Sequence, residues 1–456
     1  MASRIKGVAM TQGPLLGVLL RVALPITITN LVQSSFDIVN AFWVGRLGEA
    51  AIAAIAAGGP LFGVLISLGS GLSTAGAVLI AQNAGAKRFD MLDHVAAQTL
   101  LMVALMALGF MALGMSLAST TLDLIGVEPR IHDLAQSYLN VRYLSMVPTF
   151  GLMAMQAMLQ SVGEVRFAMR VQISMIFANA ALDPFLIFGL GPFPQLGVIG
   201  AALATLIVQL GALVIILHHL LSGHSTLHLR WHHFRPDWAH IRLAGSLGLP
   251  ASIEQGIRTF SSLLLMSLAA SFGTLGLAAY GVGCRPLFFW FTPMIGLSIA
   301  TAAVVGQNIG AGLTARAEEA ARLAAWVAFL GMTAIGLAHL PFVPAIMRAL
   351  APGEPAVVSS ASDFAYAYFP FLGILAAPQA LLGAFRGAGS TRHSMTISIV
   401  MQWVFQMPAA YVIAFATPLG ILGVWWSYAI ANVGALILCT LWFRYGSWRR
   451  RLVATA

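Results

Sequence analysis

Only 15 of the 456 residues are acidic, and two of them, Asp37 and Asp183, lie inside long apolar runs. A charge at the centre of such a run costs at least about 2.5–3.5 kcal/mol, so each one implies a partner, an aqueous cavity or a function. Asp37 precedes the phrase VGRLG, and Asp183 precedes Gly189, each by about six residues, which at 1.5 Å per residue sets both carboxylates roughly 9 Å from one membrane face. Asn179 falls one helical turn before Asp183 on the same face, and Thr205 enters the following run to a similar depth. Two carboxylates, an amide and a hydroxyl at one depth can share a proton or supply hard oxygen ligands to a small cation such as Na+. Two plainer roles stand beside this one. Asp183 precedes Pro184 and can satisfy backbone groups that the proline frees, and Asp37 can act as an interfacial cap.

The elements that position these residues follow from composition. The chain is 59% apolar and 9% charged, where soluble domains carry about 25% charge, so the solvent for most of it is lipid. Of the 24 basic residues 22 are arginine, scattered between apolar runs and not gathered in one patch, which argues against nucleic acid as a partner. With the N-terminus in the cytoplasm, the inner segments hold Arg4, Lys6, Lys87, Arg88, Arg166, Arg230, Arg235, Arg242, Arg316, Arg386, Arg392, Arg444 and Arg449 to Arg451, and the outer ones only Arg46, Arg130 and Arg348. That asymmetry is the positive-inside pattern; it leaves both termini inside and predicts an even number of spans, counted as twelve. Cys284 and Cys439 both lie in apolar runs and read as packing residues. The first apolar run is too long for a signal-peptide core and is expected to remain as span 1.

The chain also repeats itself. ALPITITN around Pro25 returns as GLPASIEQ around Pro250, and GLSTAGAVLIAQNAGA from Gly71 returns as GLSIATAAVVGQNIGA from Gly296, both 225 residues on. Gly163, Arg166 and Met169 match Gly389, Arg392 and Met395, and GVIGA from Gly197 meets GILGV from Gly420. Four blocks in one order mean a tandem duplication. The expectation is an all-α polytopic membrane protein with twelve transmembrane helices in two parallel six-helix lobes, a substrate site lying between halves as is common in transporters. The boundaries read as a cytoplasmic N-terminus at 1–13, an N-lobe at 14–222, a His-rich cytoplasmic linker at 223–240, a C-lobe at 241–444 and a basic tail at 445–456. In the second half Asp37 pairs with Ser262 and Asp183 with Ala409, so the repeat can be built without carboxylates there.

ALPITITN, FDIVNAFWVGRLG from Phe36, the paired QNAGA and QNIGA, SVGEVR, RGAGSTR and NAALDPFLIFG from Asn179 together resemble the multidrug and toxic compound extrusion (MATE) family from span 1 to span 12. The resemblance implies a secondary antiporter of the bacterial inner membrane, expected as a monomer, that exports organic cations or amphipathic drugs with H+ or Na+ as coupling ion and no other cofactor. The family's DinF-like branch uses an N-lobe aspartate pair with an asparagine and a threonine, which match Asp37, Asp183, Asn179 and Thr205. Another branch, resembling NorM, uses C-lobe carboxylates in spans 7 and 10. Here Glu254 in span 7 has Arg258 four residues on, the spacing of an intrahelical ion pair, and span 10 holds only Asp363 near its outer end, which favours the N-lobe.

Pro25 removes a helical hydrogen bond in mid-span and gives span 1 a bend point, and the resembling branch is proposed to bend there. Gln33, Asn40, Tyr143, Met175, Glu254, Arg258 and Arg285 complete the candidate cleft or hinge positions, with Arg285 either countering Glu254 or lining the cleft. Met153, Met155, Met158 and Met175 with Phe36 and Phe177 offer a soft wall for varied apolar cations. Seven of the eleven histidines fall between His218 and His240; their spacing fits no common zinc pattern, and a basic, headgroup-facing linker is the plainer reading. A lipid or oligosaccharide flippase of the wider superfamily is the nearest alternative, disfavoured because intramembrane arginines are few and the chain stops at twelve spans. A membrane-embedded enzyme would need a nucleophile with its base or a metal motif such as HExxH, and neither is present.

Overall fold

The computed structural model describes residues 7–449 and Leu452, apart from the side chains at 36–42, 44 and 60. Among the described residues every regular element is helical. The first half runs through α1 (Leu15–Gly45), α2 (Glu49–Gly85), α3 (Phe89–Ile125), the broken rod α4 (Pro129–Leu144) and α5 (Met146–Ser161), α6 (Val165–Phe188) and α7 (Gly197–Leu221). The second half repeats the series as α8 (Trp238–Ala270), α9 (Gly273–Gly310), α10 (Thr314–His339) with α11 (Val343–Leu350), α12 (Pro355–Tyr368) with α13 (Leu372–Gly387), α14 (Thr391–Ile399) with α15 (Met407–Ala416), and α16 (Ile421–Tyr445). Among the described residues ten spans are long and apolar enough to cross a bilayer. The two rods that fall short are α4–α5, which breaks at Ser145 into two helices of 16 residues each, and α8, which carries Glu254 and Arg258. Six rods per half give the all-α, twelve-helix, two-lobe membrane fold expected from the sequence.

The duplication is visible in the backbone. Gly48 and Gly273, Gly163 and Gly389, and Gly197 and Gly420 occupy matching turns, all with positive φ: 92° and 85°, 86° and 78°, 55° and 55°. An L-residue pays a steric penalty in that region, so the turns are written into both copies as glycine. Helix contacts repeat as well. Gly200 lets α7 lie against the Leu186 carbonyl of α6, and Gly423 lets α16 lie against the Ala414 backbone of α15, the close approach that small residues permit between membrane helices. Asn83 and Asn308, from the paired QN phrases, each donate back to a carbonyl one turn earlier, Leu79 at 2.8 Å and Val304 at 2.7 Å.

The chain divides into two compact units: one comprises Ile28–Ser252 with the residues up to Ala9, and the other Met10–Thr27 with Ile253 onward. The division cuts α1 after Thr27 and α8 after Ser252, repeat-equivalent positions two residues beyond Pro25 and Pro250. The N-terminal part of each leading helix therefore belongs to the other copy's unit, an exchange of helix segments that period and hydropathy do not encode. In the first unit Val8 N donates to Gly163 O at 3.0 Å. In the second, Asn308 Nδ2 donates to Met10 O at 3.1 Å, and Arg316 Nη2 donates to Gly13 O at 2.6 Å.

The linker is no free headgroup-facing segment. Leu227 and Leu229 are buried, and Glu164, at the start of α6, accepts from Ser225 Oγ at 3.0 Å and from Thr226 N at 2.5 Å and lies 3.0 Å from His219 Nε2. Asp93 of α3 accepts from His228 N at 2.8 Å. The linker backbone is docked on helix ends of its own unit.

Candidate functional site

Asp183 lies in α6, which continues through Pro184 and stops at Gly189, whose φ of 70° closes the helix in the left-handed conformation. The side chain is 1% exposed. Asn179, one turn earlier, donates from Nδ2 to Asp183 Oδ1 at 3.5 Å, and Oδ2 has no hydrogen-bond partner among the described residues. Among the described residues no ion pair reaches this carboxylate. Its Oδ1 contact runs to the Asn179 side chain, and among the described residues no backbone group freed by Pro184 reaches the carboxylate. Asn179 also lines a cavity of about 310 Å³ within the first unit, together with Thr205 and Met175. Thr205 Oγ1 donates back to Ala201 O at 3.1 Å, which leaves the oxygen's lone pairs for the cavity. The sequence-predicted trio of Asn179, Asp183 and Thr205 thus comes from α6 and α7 to one region. Asp37 is on α1, but its side chain, like those of Asn40 and Phe36, lies outside the described residues. Its repeat partner Ser262 lines the corresponding cavity of the second unit.

The rest of that first cavity was largely hidden in the sequence. Its polar wall is a chain of amides: Gln156 Nε2 donates to Gln172 Oε1, and Gln172 Nε2 donates to Gln33 Oε1 at 3.1 Å. Thr149 Oγ1 donates to Gln209 Oε1 at 3.0 Å. Arg142 also lines it, with its guanidinium 4.2 Å from the centre of the Phe62 ring. Of the methionines and phenylalanines read as a soft wall, Met153 and Met175 face the cavity, whereas Met155 and Met158 are buried in packing and Phe177 is 67% exposed. Tyr143 is fully buried against Gly114 and is a packing residue, not a cleft residue.

In the second unit Glu254 is 2% exposed, and its Oε1 takes Arg258 Nη2 and Arg386 Nη1, each at 3.3 Å. The intrahelical pair expected from spacing is present. The additional cation is Arg386 of α13 and not Arg285, which is exposed on α9 and has no ion pair among the described residues. Arg386 Nη2 also donates to Ser298 Oγ at 2.9 Å, and Ser298 Oγ donates to Gln379 O at 2.6 Å. The carboxylate is over-matched by two guanidinium groups, of which Arg386 is itself anchored on Ser298. The neighbouring cavity, of about 130 Å³, is walled by Arg258, Phe291, Gln379, Gln402 and Tyr428 among others. Asp363 is exposed on α12 and does not join Glu254.

The family model described as MatE matches residues 25–185 and 250–412, two segments that begin at Pro25 and Pro250 and so reproduce the duplication. The chain is 30% identical over 451 residues to a probable multidrug resistance protein NorM of Bradyrhizobium diazoefficiens, covering 95% of this chain and 94% of that one. It is 26% identical over 434 residues to the probable multidrug resistance protein YoeA of Bacillus subtilis, covering 94% and 93%. Its fold matches that of a MOP superfamily transporter from Pyrococcus furiosus with a TM-score of 0.90 at 24% identity, over 96% of this chain and 97% of that one. With both repeats matched by the family model and both lobes present, the chain belongs to the MatE family, as a multi-pass membrane protein and secondary active antiporter that works by alternating access of two helical lobes.

Proposed function

We propose that this antiporter exports organic cations or amphipathic compounds in exchange for H+ or Na+, and that coupling takes place in the N-lobe at Asp37, Asn179, Asp183 and Thr205, as in the DinF-like branch. The observation that carries this reading is the contrast between the two buried carboxylates. Asp183 has no cationic partner among the described residues and adjoins a cavity through Asn179, whereas Glu254 is held by two arginines. A carboxylate without a fixed counter-charge must take up a proton or a metal cation to be neutral in a low-dielectric site, and that uptake is what a transport cycle can use. A carboxylate between two guanidinium groups has no such need. Coupling at this site makes cation arrival from the outer face release the exported compound, and cation loss inward reset the lobes.

The same reading takes residues 14–222 and 241–444 as the N- and C-lobes, with 1–13, 223–240 and 445–456 cytoplasmic, in a monomer of the bacterial inner membrane. Pro25, two residues before α1 passes from one unit to the other, is the proposed bend point of span 1. Gln33 and Met175, which line the N-lobe cavity, are the proposed contacts of the exported compound. The test is accumulation of a fluorescent organic cation in everted membrane vesicles under separately imposed gradients. An acid or a sodium-rich lumen drives accumulation if the proposal holds and identifies the ion; no accumulation under either gradient overturns it.

A further inference from the structure

His94 stands in the first turns of α3, while Asp237 and His240 bracket the start of α8, 143 positions further along the chain. Their candidate ligand atoms all lie within 4.8 Å of one another. One oxygen, Asp237 Oδ2, is 3.2 Å from His94 Nε2 and 2.8 Å from His240 Nδ1. The other, Oδ1, accepts the backbone N–H groups of Ala239 at 2.9 Å and His240 at 3.4 Å, so the carboxylate cannot turn away from the imidazoles without uncapping the helix. Gln98, one turn beyond His94, locks the same strap: its Nε2 donates to His233 O at 2.7 Å and Arg235 O at 2.6 Å, and its Oε1 accepts from Asp237 N at 3.0 Å. The rings of His94 and His240 meet edge to face at 4.9 Å.

We propose that His94, Asp237 and His240 form a binding site for a divalent transition-metal ion, Zn2+ above others, that joins the linker end of the first unit to α3. Ligand atoms around tetrahedral zinc, with bonds of about 2.0–2.1 Å, sit roughly 3.3 Å apart, so the His94 edge already has that spacing and the His240 edge needs to open by about half an ångström. Two imidazoles and one carboxylate suit zinc, cobalt, nickel or copper, whereas magnesium and calcium take mainly oxygen ligands. The three side chains remain 21–36% exposed, which leaves an entry path and a fourth position for water. His233 adds an independent pointer: it is 9% exposed, its Nδ1 has no hydrogen-bond partner among the described residues, and its ring centre is 6.2 Å from that of His94. The site is separate from the proposed coupling carboxylates and does not rest on them.

The test uses the full-length protein in detergent, purified through a tag without histidines and stripped with a chelator. Equilibrium dialysis against Zn2+ and the visible absorption of Co2+ are measured for wild type, His94→Gln, His240→Gln and the linker control His224→Gln, alongside thermal melts with Zn2+ or Mg2+. The expected result is one tightly bound equivalent with a tetrahedral Co2+ spectrum, weakened at least about tenfold in His94→Gln and in His240→Gln and unchanged in His224→Gln. Should those variants fail to fold, the wild-type melt still decides: Zn2+ raises it and Mg2+ does not. Binding that survives His94→Gln, falls equally in His224→Gln, or is absent from wild type overturns the proposal, as does a melt unmoved by Zn2+ or raised equally by Mg2+.

Discussion

Replacing Glu254 by glutamine keeps volume and removes one charge, leaving Arg258 and Arg386 facing each other across a neutral amide. Breaking a buried ion pair in this one-sided way costs about 3–5 kcal/mol. The arginines retain 24% and 22% exposure, so solvent recovers part of their charge, and the expected loss is about 2–3 kcal/mol. The same unit supplies the assay, because Cys284 and Cys439 are both buried there and a thiol-reactive dye reports their exposure as the detergent-solubilised protein is heated. Glu254→Gln is expected to lower the midpoint by several degrees while lowering gradient-driven export only modestly when corrected for folded protein. Adding Arg386→Gln removes one orphaned cation and is expected to recover part of the loss, a coupling that a double-mutant cycle reads directly. An unchanged midpoint together with abolished export would refute the reasoning and make Glu254 the coupling carboxylate.

Two further outcomes follow from the backbone. In Gly163→Ala a Cβ would meet Val8 O at 2.6 Å with φ at 86°, whereas in Gly389→Ala it meets only the flexible Leu452 side chain at 2.5 Å. Both pay about 1–2 kcal/mol for the left-handed backbone, and fluorescence-detected melts should rank the first as clearly the less stable; the reverse order would contradict the packing. Pro25→Ala restores a backbone donor at the bend point and is expected to slow transport while leaving equilibrium binding of a fluorescent organic cation within about twofold; unchanged turnover would remove the hinge role.

The two-lobe fold was legible because lipid demands long apolar helices and because duplication wrote each turn twice: Gly163 and Gly389 carry the same φ region because they descend from one position. That Asn179, Asp183 and Thr205 lie near one another was legible from depth and from the one-turn spacing of Asn179 and Asp183, since residues on neighbouring spans at one depth have few other partners. Depth does not give azimuth, however: Tyr143, a cleft candidate, is fully buried against Gly114, and Arg285, a candidate partner of Glu254, is exposed and makes no ion pair among the described residues. Pairings made across the chain leave no mark on spacing. Arg386 reads as an inner-loop cation but reaches Glu254, 132 residues away. The chain of Gln33, Gln172 and Gln156 looks like scattered polar residues until α1, α5 and α6 are packed. His94 is as distant from the linker histidines in sequence as it is close in space, which is why linear zinc patterns pass over that cluster.

The central claim is that Asp183, a carboxylate without a cationic partner among the described residues, carries the coupling ion. Accumulation of a fluorescent organic cation in everted vesicles, driven in turn by an acid and by a sodium-rich lumen, tests it with Asp183→Asn beside wild type at equal expression. The asparagine keeps the volume and hydrogen-bonding capacity of the site but cannot take up a proton or offer a charge. The account predicts a correctly inserted, folded protein with gradient-driven accumulation abolished. Accumulation at the wild-type level in Asp183→Asn would contradict it.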